Sequence, residues 1–281
     1  MVSDNLKTLY AKLPSAVKLV AVSKFHPVER LMEAYDAGQR VFGENRPQEL
    51  AAKVPQMPSD VEWHFIGHLQ TNKLKFVLPY AAMVQSVDSI HLLEAIDKWG
   101  RDNGKVIDIL LELHLGAEET KHGLTEEEIV AIIEAGKGIP SQTASASLRP
   151  LPPQAAGPSR FPGKSLSPSS PPGDICPSGC GRGWPQVSEG IPSPAEEKPI
   201  LGNVRIRGLM GMATNTEDEA VIEADFARIE ALFKRIRSEY PELAETFAEL
   251  SIGMSGDWPL AVRHGATMVR IGTDIFGARE Y

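Results

Sequence analysis

The sequence predicts an α/β fold, a single-domain (β/α)8 TIM-type barrel interrupted by one low-complexity insert. Eight short apolar runs recur along the chain, at 18–23, 40–44, 62–67, 83–87, 107–114, 205–212, 250–254 and 267–272. Segments of helical period separate most of them, among them 27–38, 90–103, 125–137 and 217–239. Polar residues suited to chemistry collect just after the runs, where barrel strands carry their function. A doubly wound open sheet is the main rival, and the count of eight favours closure.

The first run, Lys18-Leu19-Val20-Ala21-Val22-Ser23, has apolar residues on both faces, as a parallel strand covered on both sides must. It delivers Lys24 to its end, where partial desolvation lowers the pKa of an amine and favours the nucleophilic neutral form. The second run closes with Phe42-Gly43-Glu44-Asn45, so Asn45 faces the same end as Lys24. Its amide can donate to a phenolate or carbonyl oxygen, and it serves equally as a turn residue. The third, Trp63-His64-Phe65-Ile66-Gly67-His68, has two histidines four apart. On a strand that spacing lacks the geometry of a zinc-protease helix. His64 is therefore read as a core residue, and His68, just past the strand, as a cleft residue.

In the sixth run, Gly208-Leu209-Met210-Gly211-Met212, the glycines allow close backbone approach and the methionines are read as core. The seventh leads through Met254-Ser255-Gly256-Asp257 into a helix containing residues 259–264. Ser255 offers a hydroxyl, and the turn offers backbone N–H groups. The eighth, Met268-Val269-Arg270-Ile271-Gly272-Thr273, puts Arg270 and Gly272 on one face. If that face is inward, Arg270 reaches a ligand lying across the barrel mouth. Barrels commonly hold phosphate groups at the loops after strands seven and eight.

A strand-end amine plus two late polar turns able to hold an anion is what pyridoxal 5'-phosphate (PLP) requires. That cofactor needs an amine for its aldehyde, donors for its phosphate and a partner for its ring nitrogen. Arg270 stays charged, so a pyridine nitrogen beside it stays unprotonated and the ring is a weaker electron sink. An aminotransferase would place a carboxylate there.

The segment 139–199 breaks the rhythm. It holds 14 of the 22 prolines, eleven serines and both cysteines, without an apolar period, and so is expected to be disordered. The chain thus divides into a first barrel part, 1–138 with strands one to five, the insert 139–199, and a second barrel part, 200–281. The insert falls on a helix-to-strand connection, on the barrel face opposite the chemistry. Cys176 and Cys180, with no nearby histidine, are read as non-functional, so no metal is expected. The formal net charge of -8 argues against nucleic-acid and anionic-membrane partners. No apolar stretch approaches the ~20 residues of a membrane span, and the N-terminus has no signal-peptide pattern. A cytoplasmic monomer is expected.

The motifs Ala21-Val22-Ser23-Lys24, Phe42-Gly43-Glu44-Asn45, His64 to Lys73, Gly208 to Met212, Ser251 to Ser255 and Met268 to Gly277 together resemble the pyridoxal phosphate homeostasis proteins, the YggS/PROSC family. The resemblance spans everything except the insert. It implies a single barrel similar to the N-terminal domain of alanine racemase, with PLP held by Lys24 as a Schiff base. It further implies that Arg270 faces the pyridine nitrogen, that Ser255, Gly272 and Thr273 hold the phosphate, and that Asn45 and His68 line the pocket. Members are regarded as PLP carriers or regulators, which makes PLP-dependent apo-enzymes the partners to consider and leaves no catalytic residue to name. Arg46-Pro47 departs from the family pattern at the cleft edge.

The alternative is a PLP-dependent amino-acid racemase, which needs a second acid/base opposite the lysine. In alanine racemases a tyrosine from another domain supplies it, and only eight residues follow Thr273 here. An aldolase-type barrel using Lys24 without PLP leaves the remaining motifs unexplained.

Overall fold

The computed structural model describes residues 1–116, 123–136 and 201–277. Eight parallel strands close into a barrel in chain order: β1 (Lys18–Val22), β2 (Val41–Glu44), β3 (Glu62–Phe65), β4 (Met83–Val87), β5 (Ile107–Leu113), β6 (Val204–Gly211), β7 (Glu249–Ser251) and β8 (Met268–Ile271). β8 returns to β1, with Ala21 opposite Ile271. The predicted barrel is thus observed. Two predicted runs overshoot their strands by two or more residues, at 62–67 and 250–254. In both, pairing continues one residue past the strand, through Ile66 N–H to Glu44 O and Ile252 N–H to Met268 O, before the chain turns away.

Alternation along each strand sorts the core into two populations. Leu19, Ala21, Phe42, Phe65, Ile109, Leu111, Val269 and Ile271 face outward and pack under the helices. Val20, Met83, Leu110, Met210 and Met268 form a separate cluster inside the barrel. Phe65 is fully buried in the outer layer. Truncations of such side chains to alanine typically cost about 3–5 kcal/mol.

The helices are α1 (Val2–Tyr10), α2 (Val28–Asp36), α3 (Pro47–Lys53), α4 (Leu74–Val77), α5 (Ile90–Asn103), α6 (Glu126–Gly136), α7 (Glu219–Glu239), α8 (Trp258–Arg263) and α9 (Thr273–Phe276). Local chemistry sets several of their ends. Ser89 caps α5 by accepting the Leu92 N–H, and Asp218 caps α7 through the Ala220 N–H. Before α6, Thr125 and Glu128 bond each other's backbone N–H reciprocally, a capping box. Helices α3 and α4, of seven and four residues, went unpredicted because they are too short to display a period.

The insert 139–199, with Cys176 and Cys180, lies outside the described residues. The described chain flanking it runs from α6 to Leu201 and into β6.

Candidate functional site at the barrel mouth

Register gathers the candidates at the C-terminal end of the strands. The last β1–β2 pair is Val22 with Gly43, so two residues on lie Lys24 and Asn45. Ser23 turns outward to bond Glu44 and Lys53 beneath α3, and half-buried Lys24 follows it in the turn just past the end of β1. Phe25, next to Lys24, has φ +67, a left-handed conformation that costs a side-chain-bearing residue about 1–2 kcal/mol.

Arg270 does face inward. It is buried, with Nη1 donating 2.7 Å to both the carbonyl and the hydroxyl oxygen of Ser251, and Nη2 donating 2.8 Å to Gly211 O. From there a hydrogen-bond chain runs down the barrel interior. Ser251 Oγ donates to Gln85 Oε1 at 2.7 Å, and Gln85 Nε2 bonds His64 Nδ1 at 2.7 Å. His64 Nε2 bonds Glu62 Oε1 at 2.8 Å, and that bond is the main cause holding the Glu62 carboxyl down at about 2. With Glu62 ionised and able only to accept, every donor in the chain points from Arg270 toward Glu62. His64 is thus a satisfied core histidine, as expected.

The exit of β8 passes tightly by β1. A Cβ at Gly272 would lie 3.1 Å from Val22 O, so glycine lets the turn carrying Thr273 sit beside the end of β1. Thr273 opens α9 and is exposed. Ser255 is half-buried in the Met254–Asp257 turn, which is closed by Asp257 N–H to Met254 O and by the Asp257 carboxylate accepting the Met254 N–H. Asn45 is half-buried, and its Oδ1 has no hydrogen-bond partner among the described residues.

A cavity of about 540 Å³ opens at this mouth, with His68, Glu112, Met212, Thr214, Met254 and Asp257 among its lining. His68 is among the lining residues, its Nδ1 2.7 Å from Asp88 Oδ2. Lys24, Asn45, Ser255, Arg270, Gly272 and Thr273 lie on the adjoining turns and strand ends after β1, β2, β7 and β8 rather than in this lining.

The glycines of the sixth strand do allow close approach: a Cβ at Gly208 would strike the backbone O of Glu249, and one at Gly211 would strike the Leu115 and Ile229 side chains. The reading of both methionines as core needs correction. Of the methionines, Met210 is core, while Met212 lines the cavity because alternation carries it inward beyond the strand end. At the cleft edge, Arg46 covers the Phe25 ring at 4.3 Å and Pro47 opens α3.

The sequence reading missed Glu112 and Asp88. Burial pushes the Glu112 carboxyl up to about 7; Asp88 adds to the rise and Arg270 opposes it. Burial also lowers Arg270 to about 10, opposed by Glu112 and Asp257, so the guanidinium keeps its proton at neutral pH. The Asp257 carboxyl is likewise raised by burial. The available signal was a lone acid near the end of the apolar run Ile109-Leu110-Leu111-Glu112-Leu113, and a second directly after β4. No group of three or more potential metal ligands occurs among the described residues.

A family model described as alanine racemase, N-terminal domain, matches residues 1–145. The pyridoxal phosphate homeostasis protein of Pasteurella multocida is 30% identical over 275 residues, covering 96% of this chain and 91% of that protein. The chain belongs to the pyridoxal phosphate homeostasis family. The family member from Vibrio alginolyticus is 29% identical over 275 residues, 96% of this chain and 90% of its own. Among solved structures, PipY of Synechococcus elongatus is 30% identical and covers 99% of this chain and 100% of its own. It superposes with a TM-score of 0.72 without PLP and 0.70 with PLP bound.

Proposed function

We propose that this chain holds PLP on Lys24 at the barrel mouth and acts in cytoplasmic PLP homeostasis as a carrier or regulator, not as an amino-acid-transforming enzyme. The observation that carries the reading is the placement of Lys24, Arg270 and the turns after β7 and β8 at one barrel mouth, in a chain 30% identical to a structure solved with PLP. The residues present fit such a ligand. Asn45 offers a buried oxygen without a partner among the described residues, and Gly272 keeps the β8 turn clear of side-chain bulk.

When bound, PLP supplies an aldehyde that condenses with a primary amine and a phosphate that needs donors. Lys24 is the amine, at the end of a buried strand. Ser255 contributes a hydroxyl, and Gly272 and Thr273 contribute backbone N–H groups at the start of α9. Asn45 and His68 would line the pocket around PLP. Arg270, fixed by three hydrogen bonds, presents a permanent positive charge that disfavours a proton on the pyridine nitrogen. That charge argues against stabilising a carbanion at a substrate Cα, and it favours storage and release, with PLP-dependent apo-enzymes as recipients and a monomer as the working unit.

Solvent-deuterium exchange at Cα, followed by NMR across the common amino acids with PLP-loaded protein, tests the carrier reading. Negligible exchange is expected. Rapid exchange with racemised product would replace the carrier by a racemase.

A further inference from the structure

We propose that helix α3 is a clamp on the turn that carries Lys24, with Glu49 and Lys53 as positioning residues. The inference rests on the reading of Lys24 as the amine that holds PLP.

The residues on either side of Lys24 are both held from α3. Lys53 Nζ donates 2.9 Å to the Ser23 carbonyl, and the Phe25 N–H donates 3.0 Å to Glu49 Oε2. Lys53 and Glu49 lie one helical turn apart and pair with each other at 3.4 Å. Lys53 also donates 2.6 Å to Glu44 Oε1, the same oxygen that accepts the Ser23 hydroxyl at 2.7 Å. The residue before Lys24 is therefore gripped at its carbonyl and hydroxyl, and the residue after it at its N–H.

The backbone and the burial pattern argue that this grip serves more than stability. Phe25 holds φ +67, which a bulky L residue adopts only where its surroundings enforce it, and which clusters at functional sites. Arg46 covers the Phe25 ring and pairs with Glu49 at 3.3 Å, adding a second restraint to the same turn. Helix α3 buries two residues, Leu50 and Lys53. A buried ammonium is stabilising only when fully paired, and a well-packed apolar residue often does as well or better. A lysine in that place is explained by what it holds. Burial and its neighbours act in opposite senses on the two acids. The Glu44 carboxyl is raised by burial, whereas the burial of Glu49 is outweighed by the Phe25 N–H, Lys53 and Arg46, leaving its carboxyl lowered. Glu49 is thus the ionised acceptor of the clamp.

A fixed turn fixes the origin of the lysine side chain, and small misplacements of a reacting group are costly. The test compares Glu49→Ala with Glu49→Gln in the full chain. Three readouts are taken: PLP dissociation constant, yield of pyridoxyl-Lys24 after borohydride trapping, and hydrogen exchange at the Phe25 amide. Glu49→Ala is expected to weaken PLP binding on the order of tenfold, to lower the trapped yield and to expose the Phe25 amide. Glu49→Gln keeps an oxygen for the Phe25 N–H and is expected to recover most of the loss. PLP affinity within about twofold of wild type in Glu49→Ala, with the Phe25 amide still protected, overturns the clamp. So does an equal loss in both variants that follows the urea midpoint alone, since that is a structural effect. If the wild type itself yields no pyridoxyl-Lys24, the functional reading fails, and the clamp is then decided by Phe25 amide protection, whose survival in Glu49→Ala overturns it.

Discussion

Arg270 holds Ser251 at two points, its Nη1 lying 2.7 Å from both the carbonyl and the hydroxyl oxygen. Ser251 in turn donates to Gln85, so the guanidinium at the barrel mouth is tied to a polar chain that ends at Glu62. Ser251→Ala leaves Arg270 its two carbonyl partners and removes the donor to Gln85 Oε1, which is buried. An unsatisfied buried acceptor costs about 1–3 kcal/mol, and urea unfolding is expected to show a loss of that size. An unchanged urea midpoint would mean that the chain does not contribute to stability as described.

Glu112 makes stability fall as pH rises. Its folded pKa of about 7 lies above the ordinary value of 4.5, so the folded chain binds this proton more tightly than the unfolded chain. The contribution is fully present below pH 4.5 and is lost as pH rises through 7, on the order of 3 kcal/mol in all. Glu112→Gln fixes the neutral form and should remove this slope. Urea midpoints of the two proteins between about pH 4.5 and 8 provide the check, with wild type declining relative to the variant. Parallel curves would contradict the assignment.

We further propose that the segment 139–199 is dispensable for barrel and ligand. Its composition has no apolar period, and the described chain on either side of it ends α6 and enters β6 at the strand's start, whereas Lys24 and Arg270 lie toward the C-terminal ends of their strands. Loop length enters closure entropy only logarithmically, so a short Gly/Ser linker should shift stability by roughly 1–2 kcal/mol at most. PLP content and urea midpoints of the two proteins test this. A large loss of either would show that the segment packs on the barrel.

Much of this architecture was legible in the sequence because barrel strands announce themselves as short apolar runs, and strand alternation is strict. Lys24 and Asn45 could be placed at one mouth from their strand ends, and Arg270 could be paired with Gly272 by period two. Contacts that join distant positions were not legible. Gln85 meets Ser251 across 166 residues of chain, and no local pattern marks either residue. Glu112 was absorbed into an apolar run because burial on both strand faces hides which positions alternate inward. Helix α3 escaped notice for a related reason: its buried positions are one leucine and one lysine, too few to give a period.

The central claim is that Lys24 is the residue to which PLP is linked. Borohydride reduction of the PLP-loaded protein followed by peptide mass mapping tests it most directly. The account predicts a single pyridoxyl group on Lys24, absent from Lys24→Ala; a pyridoxyl group on another lysine, with Lys24 unmodified, would contradict it.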